Sequence, residues 1–214
     1  MSHDQMLPEY LRQLLLDQIV ASIDCTDAEL APFREQSYDE DAYRDWLRQQ
    51  GITSKQFAAW NERELKIRKF QNQRWGRKLY SYFLERKRDL DQVVCSLMYL
   101  RDMDLAQELY FRLAEGEESF AELARQYSEG KEAQTGGRVG PIELGKLPSE
   151  LVRMFYGGQP GQLWFPTAIG GWVVIAQLEA SLPARLDATM RQYLLNELLE
   201  TWLQEQIHRR FSAS

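Results

Sequence analysis

Cysteine, histidine and proline are scarce in this chain: 214 residues hold two cysteines, two histidines and seven prolines. Cys25 and Cys95 stand too far apart for a CxxC metal or redox site, and two cysteines make no disulfide framework. His3 and His208 lie near opposite ends. A mechanism built on two central histidines, or a His/Cys metal cage, is therefore excluded. A P-loop, a dinucleotide fingerprint and a metal-ligand cluster are also missing, so no cofactor and no metal are expected. No apolar run approaches the ~18–20 residues of an integral membrane segment. The opening stretch carries Asp4 and Glu9 where a secretion signal would have a basic start and an unbroken apolar segment, so the expected compartment is cytoplasmic.

What is present is globular in composition, 44% apolar and 27% charged with 13 glycines. The length holds one large domain or two small ones. The net charge is −6, from 26 basic and 32 acidic residues. Residues 91–180 carry 7 basic and 13 acidic residues, which is the whole imbalance. Elsewhere, residues 63–88 gather 10 basic residues against Glu64 and Glu85. Such a surplus suits nucleic acid or an anionic surface. The stretch is helical in pattern, however, and Phe70, Trp75, Tyr80 and Phe83 fall at core-facing positions, so the solvated face of a helix also accounts for it.

Periodicity divides the chain into a helical start, a mixed centre and a helical end. Leu11, Leu14, Leu15, Ile19 and Ile23 predict a helix over 7–23. Thr26 or Asp27 caps a second, ending near Gln36, and a third runs from Tyr38 to Gln50 with Tyr43, Trp46 and Leu47 on one face and Gly51 as its stop. Thr53 and Gln56 form a capping-box pair for a helix reaching toward Arg88, with Phe57, Trp60, Leu65, Phe70, Trp75, Leu79 and Phe83 as its apolar contacts and Gly76 as a point of bending or breakage. Near residue 91 the pattern changes. Strands are expected at 93–100, 139–144, 163–165 and 172–179, with helices at 103–114, 120–126 and 148–156 between them. Beyond Pro183 a last helix over about 186–210 carries Leu186, Met190, Tyr193, Leu194, Leu198, Trp202 and Ile207. That face is too long for one small sheet to bury, and it is expected to return to the N-terminal helices.

The words of the central segment are specific. Phe120 to Ser128 reads FAELARQYS, Gly136 to Gly140 reads GGRVG, Gln159 to Leu163 reads QPGQL, and Ile169 to Ile175 reads IGGWVVI. In order and spacing these resemble the motifs of parvulin-type peptidyl-prolyl isomerases. The WLRQQGITSKQF stretch within Asp41 to Leu65 resembles the N-terminal helical module of SurA- and PrsA-like foldases. The resemblance implies an α+β chain: a four-stranded antiparallel sheet with flanking helices at 91–180, and an all-α domain at 1–90 completed by the C-terminal helix of 181–214.

The resemblance also identifies what is changed. The family's two histidines fall on Leu97 and Trp172, its cysteine or aspartate falls near Gly130, and the aspartate of its glycine turn is Arg138. No catalytic residue carries over. The family's proline pocket falls on Leu147 and Leu151, still apolar, and a family threonine on Thr167. The implied peptide-binding set is therefore Leu97, Tyr99, Ser128, Arg138, Leu147, Leu151, Thr167 and Trp172, with Ser96 as a further polar group nearby. Prolyl isomerisation breaks no covalent bond. Its barrier of ~18–20 kcal/mol is lost amide resonance, and a catalyst must bind the twisted amide better than either planar form. An apolar pocket helps, and polar groups that stabilise the rotating carbonyl help further. The implied function is binding of unfolded or proline-containing polypeptide with isomerase activity weak or lost. The alternatives are a fully active isomerase, and an adaptor for nucleic acid or an anionic surface through 63–88, against which the acidic net charge counts. The expected partner is a polypeptide client and no nucleic acid; the sequence leaves the oligomeric state open.

Overall fold

A computed structural model describes residues 3–34 and 40–212 of the chain. The helix ends expected at Gln36 and Tyr38 lie outside the described residues, as does the side chain of Tyr43. The chain divides into two compact units: residues 1–80 with 187–214, and residues 81–186.

The first unit is helical. Its elements are α1 (His3–Ser22), α2 (Asp27–Arg34), α3 (Glu40–Gln50), α4 (Ser54–Trp75) and α9 (Ala188–Ser212). Thr26 caps α2: its Oγ1 accepts from the Glu29 N–H while the Glu29 carboxylate accepts from the Thr26 N–H at 2.8 Å. Gly51 adopts φ +67° after α3, a left-handed stop that suits glycine. Thr53 and Gln56 close a reciprocal capping box at the start of α4. Leu15, Leu16 and Ile19 of α1 pack with Leu199 and Leu203 of α9, flanked by Ile67, Phe70, Trp75 and Trp202. Polar ties follow the same seam: Arg12 to Glu200 at 2.6 Å, Gln71 to Asn196 at 2.9 Å and Arg191 to Asn72 at 2.6 Å.

Three expectations change here. The helix from Thr53 does not run to Arg88. It ends at Trp75, and α5 (Leu79–Leu90) begins after the turn at Gly76. Trp60 is 60% exposed rather than core-facing, because the α4 face that meets α1 and α9 is the one bearing Ile67, Phe70 and Gln71, and Tyr80 is 63% exposed because α5 buries Leu79 and Phe83 instead. In α9 the buried residues are Leu194, Leu195, Leu199 and Leu203, so the inner face lies partly beside the stripe the sequence suggested, and Tyr193 faces out.

The second unit carries the sheet. β1 (Gln92–Leu100), β2 (Arg138–Glu143), β3 (Leu163–Ile169) and β4 (Trp172–Leu182) form one antiparallel sheet in the order β2-β1-β4-β3. α6 (Met103–Glu115) and α7 (Phe120–Tyr127) cover one face, and α8 (Ser149–Phe155) the other. β1 is buried along almost its whole length, as its apolar run VVCSLMYL, broken only by Ser96, leads one to expect. Met98, Leu100, Val173 and Ile175 meet Ala106, Leu109, Leu123 and Ala124 on the α6–α7 face. Val93, Cys95, Leu97, Val174, Ala176 and Leu178 meet Leu151, Val152 and Phe155 on the α8 face. β3 runs to Ile169, four residues past its expected end, because its pairing with β4 resumes at Thr167 after an irregularity. Gly137, at φ +82°, brings its backbone against Leu97, Phe120 and Ala124. A Cβ there would stand 2.8 Å from the Leu97 carbonyl oxygen.

Candidate functional site

β1 and β4 are neighbours at the centre of the sheet, and Leu97 and Trp172 both belong to its α8 face. They are not cross-strand partners. Leu97 stands opposite Ala176, so Trp172 lies four positions along β4, beside Tyr99 rather than Leu97. Leu97 is 3% exposed and Leu151 is fully buried, which makes both part of the core between sheet and α8. Leu147 is half-buried against that core. It also lines a surface cavity of about 360 Å³ with Arg88, Ser149, Val152 and Arg153.

An aromatic cluster marks the accessible end of this face. The Tyr99 and Trp172 rings meet edge to face with centroids 6.2 Å apart. Arg101 lies over Trp172, its guanidinium 3.5 Å from the ring centroid, and donates to the Gly171 carbonyl at 3.1 Å. Stacking and the hydrogen bond together fix the indole. Thr167 stands opposite Val174 and Ile169 opposite Trp172, which brings Thr167 onto the same face; its hydroxyl donates to the Phe165 carbonyl at 2.9 Å.

The loop after α7 supplies the polar groups. β2 pairs with β1 only as far as Ser96, so the free edge of β1 beyond it must find other partners. The Leu97 N–H donates to the Gly137 carbonyl at 2.9 Å, and the Tyr99 carbonyl accepts from the Glu129 N–H at 2.8 Å. The Tyr99 N–H donates to Ser128 Oγ at 3.0 Å, and that hydroxyl donates in turn to Glu132 Oε1 at 2.9 Å. Ser128 thus joins the strand to Glu132, a residue the sequence reading did not single out. The Glu132 carboxylate packs against Gly130 and fills the space that a side chain at 130 would take. Burial raises the Tyr99 phenol above its ordinary value, and the charge of Glu132 and then Cys95 add to the effect. Tyr99 therefore stays protonated and can donate a hydrogen bond.

Two residues of the sequence-derived set stand elsewhere. Arg138 is exposed and pairs with Ser96, one position from Cys95, which puts it on the opposite side of the sheet from Leu97 and Trp172. Ser96 itself is buried and donates to Glu179 at 2.7 Å. Among the described residues no group of three or more His, Cys, Asp or Glu could hold a metal ion, and no helix is long and apolar enough to cross a membrane.

Residues 102–179 match the family model of the PPIC-type PPIase domain, or rotamase domain. No curated protein matches the chain. Among solved structures, a peptidylprolyl isomerase (PrsA) from Bacillus anthracis is 17% identical with a TM-score of 0.46, covering 95% of this chain and 97% of that one. The foldase protein PrsA from Streptococcus pneumoniae is 16% identical with a TM-score of 0.49 over 98% of this chain and 83% of that one. The parvulin domain of PpiD from E. coli is 24% identical with a TM-score of 0.40, over 46% of this chain and 95% of that domain.

Proposed function

We propose that this chain, whose residues 102–179 are a PPIC-type PPIase domain, binds unfolded or proline-containing polypeptide at the Tyr99–Trp172 end of its sheet and isomerises it weakly or not at all. The observation that carries the reading is what stands at the two positions where the family has histidine. Leu97 is sealed in the core, and Trp172 is held flat beneath Arg101. Neither can donate or accept a proton at the amide. Tyr99, Trp172 and Thr167 supply what a prolyl ring and its flanking residues need, aromatic faces and a few polar groups, whereas Leu147 lines the cavity beside Arg88 and Asp89. Gly130 and Arg138 contribute no side chain to this end of the sheet.

In the helical unit, Trp46 and Trp60 are exposed and flank Phe57, with centroids 5.5 and 6.0 Å away. Such an aromatic surface supports a second contact for unfolded chain, as an escort or chaperone would use. Cys25 and Cys95 are free thiols, which suits a reducing compartment, and we place the protein's work in the cytoplasm.

A fully active isomerase is favoured by one observation: Tyr99, Ser128, Glu132 and Thr167 still put polar groups around the site. Binding is tested by titrating the ¹⁵N-labelled chain with proline-containing peptides. The Tyr99 and Ser128 amides and the Trp172 indole should shift with saturation, and the Trp172→Ala variant should bind at least several-fold more weakly. Flat signals at these three groups, with millimolar peptide present, would remove the site.

A further inference from the structure

We propose that Glu132 makes this site selective for clients with lysine or arginine beside the bound proline. The inference rests on the reading above and adds the chemical class of the client.

Glu132 is not a loose surface carboxylate. Its Oε1 is held by Ser128, which is itself held by the backbone of β1 at Tyr99. Gly130 leaves it the room to lie there. It is half-buried, and among the described residues no cation pairs with it and no donor reaches Oε2. A partly desolvated carboxylate without a partner gains more from an arriving cation than an exposed one does.

The cation on the aromatic pair does not compete. Arg101 is engaged on the Trp172 ring and on the Gly171 carbonyl. The site thus offers one unanswered negative charge near the Tyr99 ring, which Trp172 meets edge to face, and those rings suit the alkyl stem and head of a lysine or arginine. The wider field agrees in sign, since residues 91–180 carry 13 acidic and 7 basic residues.

The test compares short peptides of one sequence that place Lys, Ala or Glu before the proline, with affinities read from the Tyr99 and Ser128 amide shifts of the full chain. The Lys peptide should bind about fivefold more tightly than the Ala peptide, and the Glu peptide more weakly than either, a spread that added salt narrows. Glu132→Gln keeps an acceptor for Ser128 and should bring the Lys and Ala peptides to equal affinity. Glu132→Lys should reverse the order. Equal affinities in the unaltered protein, or an unchanged ranking in Glu132→Gln, would overturn the proposal while leaving the binding site intact. Failure of every peptide to bind would remove both.

Discussion

Single residues here are set by how closely the backbone approaches them. Gly137 sits at φ +82° with the Leu97 carbonyl, Phe120 and Ala124 within about 3 Å of where a Cβ would stand. Gly137→Ala therefore strains the backbone and pushes β1 from the loop, and urea unfolding should show a loss of about 2 kcal/mol or more. Cys95 is fully buried, and burial, helped by the charge of Glu179, pushes its thiol up to about 12. Cys25 is only half-buried. A thiol reagent should modify one cysteine per native chain, Cys25, and two in denaturant; rapid labelling of Cys95 in the native protein would contradict its burial. At this scale the sequence was uneven. The strands that carry Leu97 and Trp172 were legible because motif words on either side fix their places. Glu132 was not, because its role depends on Ser128 reaching back to Tyr99, 29 positions earlier, and on Gly130 leaving a gap.

At the scale of elements, end signals were the readable part. Thr53 with Gln56 and Thr26 with Glu29 close as reciprocal caps, since the unpaired N–H groups of a first helical turn take side chains three residues apart. Ser119 and Glu122 do the same for α7. Thr53→Ala should cost about 1 kcal/mol in chemical denaturation. Glu29 gives a pH signature. Its bond with Lys69, then its bonds to Thr26, lower its carboxyl from 4.5 to about 2. The native form holds the charge more tightly than the unfolded chain does. Its contribution is thus complete above the ordinary carboxylate range and disappears as the pH falls from about 4.5 toward 2. Thermal melts across that window should flatten in Glu29→Gln relative to the unaltered protein, and identical slopes would contradict the assignment. What the pattern could not give was which side of α9 faces inward. Leu194, Leu195, Leu199 and Leu203 are distinguished from Leu198 only by the positions of α1 and α4.

At the scale of the molecule, charge and core divide the chain differently. The basic stretch of 63–88 is largely answered from within: Arg63 by Asp17, Lys66 by Glu62, Arg68 by Glu64, Lys69 by Glu29 and Lys87 by Asp91, while Arg74 lies over the Phe70, Trp75 and Trp202 rings. A surface so neutralised has few cations left to exchange for counterions, so any association with DNA or anionic vesicles should be weak and collapse with modest salt. The sheet's antiparallel order was legible because four strands and their turns follow the motif words in sequence. The break at Gly76 was open to either outcome, since a lone glycine inside a helical pattern bends a helix as readily as it ends one.

The central claim is that the domain keeps a prolyl-peptide site whose two histidine positions no longer serve catalysis. Exchange NMR on a panel of Xaa-Pro peptides, with the protein at about one part in a hundred, measures it directly, because uncatalysed exchange takes tens to hundreds of seconds. The account predicts exchange rates within about twofold of peptide alone across the panel, for peptides that bind when the protein is in excess. Acceleration of tenfold or more for any of them, lost in Tyr99→Phe or Glu132→Gln, would contradict it and make the polar groups around Tyr99 a working catalyst.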